Sequence, residues 1–424
     1  MPPRRTPRTL LVIPLSLTLV VLASAGLFGL NPSFSPSFVS LASVGPSGPT
    51  PPRPGGSRTV PPSAPTDSPP PAPPEPKASR ARGSSTPFTS YPLVSVAPAG
   101  SPTSVSRATG AAFVRLVTRG GAPAAALLSS DGTGSRFAGA GRGIARADHF
   151  RAGSVTKTLL ATVVLQLAAE HRLSLSDSVD AHLPRLVRGA GNDGRRLTLR
   201  SLLTHTSGLY DFTADTGGTV PLTPLRAVHL ALTHPPAARG RFAYSNTNYV
   251  LLGLVIHQVT GHSYATEAER RVIAPLRLTG TSFPGGLRSL PSPHGRSYAA
   301  DGRDVTELDP RVAGAAGELV TTLADLNRFY AALLGGELLP PHQLREMLNT
   351  RTAQGVYGMG LYPVKLACGI TVWGHNGRIS GSYVRTAADV DGRHVLTFRV
   401  NTDKIADPRL EPALLSAEFC PRTR

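Results

Sequence analysis

The sequence predicts a mixed α/β fold: an antiparallel β-sheet flanked by helices, with an all-helical lobe inserted between the strands. Two observations carry this prediction. Stretches of alternating polarity with hairpin turns lie near both ends of residues 106–424, and apolar residues recurring every three to four positions fill the middle. Strands from the two ends then meet in one sheet, and the cleft between sheet and lobe is the natural place for a site.

Residues 1–30 open with MPPRRTPR and continue as TLLVIPLSLTLVVLASAGLFGL, a cationic stretch followed by an apolar one. This is the pattern of an export signal. Ala23-Ser24-Ala25 offers a small-residue cleavage site, whereas residues 9–30 are long enough to span a bilayer as an uncleaved anchor. Signal peptide and membrane anchor both remain open. In either case the arginines ahead of the apolar run place the rest of the chain outside the cytoplasm, secreted or tethered to the outer face of the membrane. Arg4-Arg5 alone is a weak pointer to twin-arginine export. Residues 31–105 are rich in Pro, Ser, Gly and Thr, as in PPSAPTDSPPPAPPEP, and hold few apolar clusters. They are expected to form a disordered linker, with a reach on the order of 200 Å at ~3.1 Å per residue.

Residues 106–424 are expected to fold, starting with a hairpin in AAALLSSDGTGSRFAGAG, where Asp131-Gly132 marks the turn. Leu159, Leu160, Val163, Val164 and Leu167 then follow a helical period, and YVLLGLVIHQVTG and LADLNRFYAALLGG repeat it, each closed by glycine. In GITVWGHNGRISGSYVRTAADVDGRHVLTFRVN alternation returns, with Asp391-Gly392 suited to a second hairpin, and LEPALLSAEFC closes the chain as a helix.

The formal net charge of +18 raises the question of nucleic acid. The arginines are scattered and no basic run carries interleaved aromatics, so a solvated surface is the reading and no nucleic-acid partner is expected. Cys368 and Cys420 are the only cysteines. In an exported chain one disulfide is expected, two buried thiols being the alternative.

Three short patterns carry chemistry. In RAGSVTK, Ser154 and Lys157 stand three apart where a helix begins, so both project from one face near unpaired backbone N–H groups. A lysine acts as a base only if burial or nearby cations lower its pKa from about 10.4, so the pattern requires an enclosed amine. FAYSNTNYVLLG places Tyr244 and Asn246 just before a helix, and WGHNGRISGS places His375, Asn376 and Gly377 on a late strand. Singly, Ser154 and Asn246 read as helix caps, Tyr244 as a core aromatic and His375 as a turn residue. Their occurrence together and in this order is what carries information. No Gly-x-Ser-x-Gly elbow, His-Glu-x-x-His helix or phosphate loop occurs.

With Ser-x-x-Lys at Ser154 and Lys157, Tyr-x-Asn at Tyr244 and Asn246, His-x-Gly at His375 and Gly377, and TLRSLLTHTSGLYDF between the first two, residues 106–424 resemble the serine penicillin-recognising enzymes. The likeness is to the class C β-lactamase and D-alanyl-D-alanine carboxypeptidase group, especially exported carboxypeptidases with histidine in the third motif. Their late cysteine pair is similar to Cys368 and Cys420. The resemblance implies a β-lactamase/transpeptidase-like fold needing neither metal nor cofactor. It implies that Ser154 is acylated, that Lys157 and Tyr244 share the proton work, and that Asn246 binds the substrate amide. Backbone N–H groups of Ser154 and Arg378 would form the oxyanion hole, with His375 supplying positive character opposite Ser154. His205 in THTSGL would belong to a structural turn, not to a Ser-His triad.

The third motif departs from the family pattern. Asn376 and Arg378 stand where small hydroxyl residues are usual, so both are candidate substrate-binding residues, with Tyr362 and Lys365 as possible helpers. The activity implied is a D-alanyl-D-alanine carboxypeptidase acting on peptidoglycan stem peptides, with β-lactams as acylating ligands. The alternatives are a β-lactamase, an esterase or a D-amino-acid amidase acting on another small acyl substrate, and a non-catalytic wall-binding module.

Overall fold

The computed structural model describes residues 104–421. The expected export segment and the linker up to residue 103 lie outside the described residues. No helix among the described residues is long and apolar enough to cross a membrane.

A helix, not a hairpin, opens the domain. In α1 (Arg107–Thr118) the side chain of Ser106 caps the first turn by accepting the Thr109 N–H at 3.1 Å, and Ala112, Phe113 and Leu116 form the buried stripe. The stripe is only three residues deep and abuts a proline-rich stretch, which is why periodicity alone passed over it. The hairpin follows, as β1 (Ala124–Asp131) and β2 (Gly134–Gly141), turning through Gly132-Thr133.

Four more strands come from the other end of the chain: β3 (Tyr362–Lys365), β4 (Thr371–Ile379), β5 (Ser382–Ala388) and β6 (Val395–Val400). The sheet order is β2-β1-β6-β5-β4-β3, antiparallel throughout, so β1 and β6 join the two ends as the sequence predicts. Asp391-Gly392 lies in the β5–β6 connection.

Both faces of the sheet are covered. Along β6, Leu396, Phe398 and Val400 pack with Phe113 and Leu116 of α1 and with Leu414, Leu415 and Phe419 of the last helix. Val384 of β5 and Val395 of β6 point the other way, into a larger core shared with the helices that follow β2. Each such fully buried side chain contributes about 1.5–3 kcal/mol. Those helices are α2 (Thr156–Ala169), α3 (Asn246–Thr260) and α4 (Leu323–Leu334), with shorter pieces between α2 and α4 completing the lobe, whereas the closing α5 (Leu410–Phe419) lies with α1 on the other face. Every residue of α2 from Thr156 to Leu165 is buried, as befits a helix enclosed on all sides.

Cys368, in the turn between β3 and β4, is joined to Cys420 after α5, with Cα atoms 5.9 Å apart and a sequence separation of 52. The bond ties the last helix to the edge of the sheet. By chain entropy a loop of this length is worth about 4 kcal/mol. Replacing both cysteines by serine should therefore lower the urea-unfolding free energy by about 2–4 kcal/mol, and an unchanged midpoint would remove the disulfide from the account of stability.

Candidate active site

Two glycines place the serine. Ser154 lies in a 3₁₀ turn, Gly153–Val155, that precedes α2 and packs against β4. Gly153 has φ +51°, and a Cβ there would fall 2.7 Å from the Arg378 nitrogen; a Cβ on Gly377 would fall 1.7 Å from the Ala152 oxygen. Only glycine at both positions lets the two backbones approach so closely. Around them the Thr156 hydroxyl donates to the Gly153 carbonyl at 2.6 Å and accepts the Leu319 N–H at 3.1 Å, and Ser382 Oγ donates to the Arg151 carbonyl at 2.8 Å.

Lys157 is fully buried. Its Nζ lies 3.0 Å from Ser154 Oγ, 2.8 Å from Asn246 Oδ1 and 2.7 Å from the Ala316 carbonyl. Burial lowers its pKa to about 7, opposed in part by the negative charge of Asp211. The geometry decides what the neutral amine does. Asn246 Oδ1 and the Ala316 carbonyl only accept, so they take the two N–H groups and leave the lone pair facing the Ser154 hydroxyl. Lysine and serine are thereby arranged as base and nucleophile.

Tyr244 donates its hydroxyl to Ser154 Oγ from the other side at 2.8 Å. Its enclosed setting pushes the phenol well above its usual pKa, so it stands as a proton donor. His205 stacks on the Tyr244 ring with centroids 4.2 Å apart, and its Nδ1 accepts the Ser245 N–H at 3.2 Å. Burial and the charge of Lys157 hold His205 neutral. It makes no hydrogen bond to Ser154, so the reading without a triad agrees with the geometry, but it does more than form a turn because it backs Tyr244 directly.

His375 requires a correction. Burial and the Lys157 charge push its pKa down to about 3, so it is neutral at physiological pH and supplies no cation opposite Ser154. Its Nδ1 bonds the Asn376 carbonyl and therefore carries the proton, which makes Nε2 the acceptor for the Tyr357 hydroxyl at 2.9 Å. Asn376 is buried, and its Oδ1 accepts from Tyr362 at 3.0 Å. Arg378 is half-buried and lines the cavity with Asn376 and Tyr362. Lys365 is not brought to the site: it is exposed on β3 and absent from the cavity wall.

The cavity, of about 190 Å³, opens beside Ser154, Tyr244 and Asn246, with apolar walls from Phe242, Val312, Val356 and Ile379. β3 pairs with β4 only as far as Gly374, and among the described residues no strand pairs with the outer edge of residues 375–379. Sequence reasoning missed Asp211, Thr213, Ala316 and Tyr357. Ala316 acts through its backbone and leaves no signal in residue type, whereas the aspartate in GLYDF lies inside a stretch already singled out.

A serine held between a buried lysine and a tyrosine defines the class of site, and residues 108–418 match the Beta-lactamase family model. The chain belongs to the Beta-lactamase family. It is 40% identical to a D-stereospecific amidohydrolase from Streptomyces sp., covering 74% of this chain and 99% of that one with a TM-score of 0.70. The D-amino acid amidase of Ochrobactrum anthropi SV3 shares the fold, at 24% identity and a TM-score of 0.66 over 74% of this chain and 99% of that one. The putative penicillin-binding protein PbpX of Bacillus subtilis (strain 168) is 30% identical over 217 residues, 50% of this chain and 53% of that protein, so the match spans about half of its length.

Because Lys157 must lose its proton to act, kcat/KM should be low in acid, rise through about pH 7 and level off above it. Lys157→Met should reduce kcat/KM by about 10³-fold. A pH–rate profile of the chain and of this variant checks both, and a flat profile between pH 5 and 9 would remove Lys157 from the base role.

Proposed function

We propose that the chain is an exported serine amidohydrolase that opens amide bonds of D-configured acyl donors through an acyl-enzyme on Ser154. The observation that carries the chemistry is that Lys157 and Tyr244 both hydrogen-bond Ser154 Oγ. Ser154 Oγ attacks the carbonyl carbon as its proton passes to Lys157. The oxyanion is received by backbone N–H groups of Ser154 and Arg378, whose segments Gly153 and Gly377 bring together. Tyr244 then gives its proton to the departing amine and is reprotonated from Lys157, so the proton lost by serine leaves with the product. In the second half water attacks the ester carbonyl and gives a proton to the same pair, which passes a proton to Ser154 Oγ as the C–Oγ bond breaks, releasing the acid and the free serine.

The preference for a D-configured amide is supported by the Streptomyces amidohydrolase, whose whole length this chain matches at 40% identity. Motif resemblance alone favours a D-alanyl-D-alanine carboxypeptidase on stem peptides. That reading keeps one specific support, Arg378 in the cavity wall, a residue whose guanidinium chemistry suits a C-terminal carboxylate. Export is supported by the cationic and apolar pattern of residues 1–30, and residues 31–105 read as a linker beyond it.

D-phenylalanine amide, L-phenylalanine amide, an acyl-D-Ala-D-Ala tripeptide and nitrocefin should be compared as substrates, with intact mass followed after addition of benzylpenicillin. The expected outcome is turnover of the D-amide at least about tenfold faster than its L-enantiomer, with a benzylpenicillin adduct that Ser154→Ala abolishes. Release of D-alanine without amide turnover would transfer the assignment to the carboxypeptidase.

A further inference from the structure

Asn246 is held between an amine and a carboxylate, and its amide can sit either way round. We infer that Asp211 is the positioning residue of the site: its carboxylate fixes the orientation of the Asn246 amide and thereby the direction in which Lys157 faces Ser154. This rests on the proposed role of Lys157 as the base.

The argument is one of donors and acceptors. Asn246 Nδ2 lies 3.0 Å from Asp211 Oδ2, 3.3 Å from Asp211 Oδ1 and 3.0 Å from Thr213 Oγ1. A carboxylate only accepts. Thr213 could in principle present either its proton or a lone pair, but its proton is given to Asp211 Oδ1 at 2.9 Å, so it also presents a lone pair to Asn246. Both neighbours on that side are thus acceptors because of Asp211, and the NH₂ must face them. The amide oxygen is left for Lys157 Nζ at 2.8 Å. A reversed amide would set oxygen against oxygen on the Asp211 side and turn an N–H toward Nζ, where it opposes the ammonium form and draws the lone pair of the neutral form away from Ser154. With Asn246 Oδ1 and the Ala316 carbonyl fixed as acceptors, the remaining direction at Nζ is Ser154.

Asp211 also contributes charge. Lys157 is surrounded by Ser154, the rings of Tyr244 and Tyr249 at 5.0 and 5.6 Å, and the neutral imidazoles of His205 and His375. Among the ionised groups around the amine, Asp211 is the one whose charge opposes the effect of burial. Removing that charge lowers the proton affinity of Lys157, so the acid limb of kcat/KM moves to lower pH. A competing structural role exists, since Asp211 Oδ1 also accepts the Thr213 N–H at 3.0 Å at the start of a short helix. Loss of that cap would lower the melting temperature without moving the titration of Lys157.

The chain has only four lysines, Lys77, Lys157, Lys365 and Lys404, so ¹³C-lysine labelling gives few enough signals to titrate Lys157 directly, assigned by Lys157→Arg. Asp211→Asn should move that titration, and the limb of kcat/KM for D-phenylalanine amide, down by about one pH unit. Asp211→Ala, which also frees the Asn246 amide, should cut kcat by about tenfold or more at every pH with little change in KM. An unmoved Lys157 titration in Asp211→Asn, or an unchanged kcat in Asp211→Ala, overturns the inference. Absence of turnover by the wild-type chain defeats the functional reading separately, because the NMR titration still reads the effect of Asp211.

Discussion

Burial of the Lys157 amine between the Ala316 carbonyl and the Asn246 amide oxygen is the interaction on which the rest of the site depends. An ordinary lysine, with a pKa near 10.4, is neutral only about once in two thousand molecules at pH 7. At a pKa of about 7, half of the molecules hold a free lone pair, a gain of roughly a thousandfold in competent base. Desolvation has a cost, and the fold meets it structurally. α2 is buried from Thr156 to Leu165, with the sheet on one side and the lobe on the other, so the amine is held out of bulk water.

That enclosure makes backbone approach as important as side-chain identity. Ser154 stands next to β4 because Gly153 and Gly377 leave no side-chain atoms between the two segments. His375, two residues before Gly377 in the third motif, acts through its contacts with Tyr357 and the Asn376 carbonyl, and its ring is too poorly solvated to take a second proton. The third motif therefore works mainly as shaped backbone, which explains how Asn376 and Arg378 are accommodated where other residues are usual in the family.

Much of this was legible in the sequence, for identifiable reasons. Alternation in the last third and the helical period after Ser154 report burial on one face or all round, and both became the elements they implied. The placing of Ser154, Lys157, Tyr244 and Asn246 within hydrogen-bonding reach followed from motif order. What stayed hidden depends on three-dimensional neighbours. α1 has too short an apolar stripe to announce itself, and the protonation of His375 is set by burial and a cation more than two hundred positions away. Ala316 contributes a carbonyl that any residue would carry.

The outer edge of β4 over residues 375–379 has a further consequence. An unpaired sheet edge invites other chains to add themselves, and long flat edges are where folded proteins aggregate. Here the stretch without a partner strand among the described residues is five residues long, begins where β3 stops pairing, and lies in a cavity walled by Phe242, Val312 and Val356, with the Asn376 carbonyl taken by His375 Nδ1. A strand belonging to another folded molecule would meet those walls before it reached the edge. The recess is a steric guard: the walls stand in front of a strand edge of the kind that would otherwise be open to pairing.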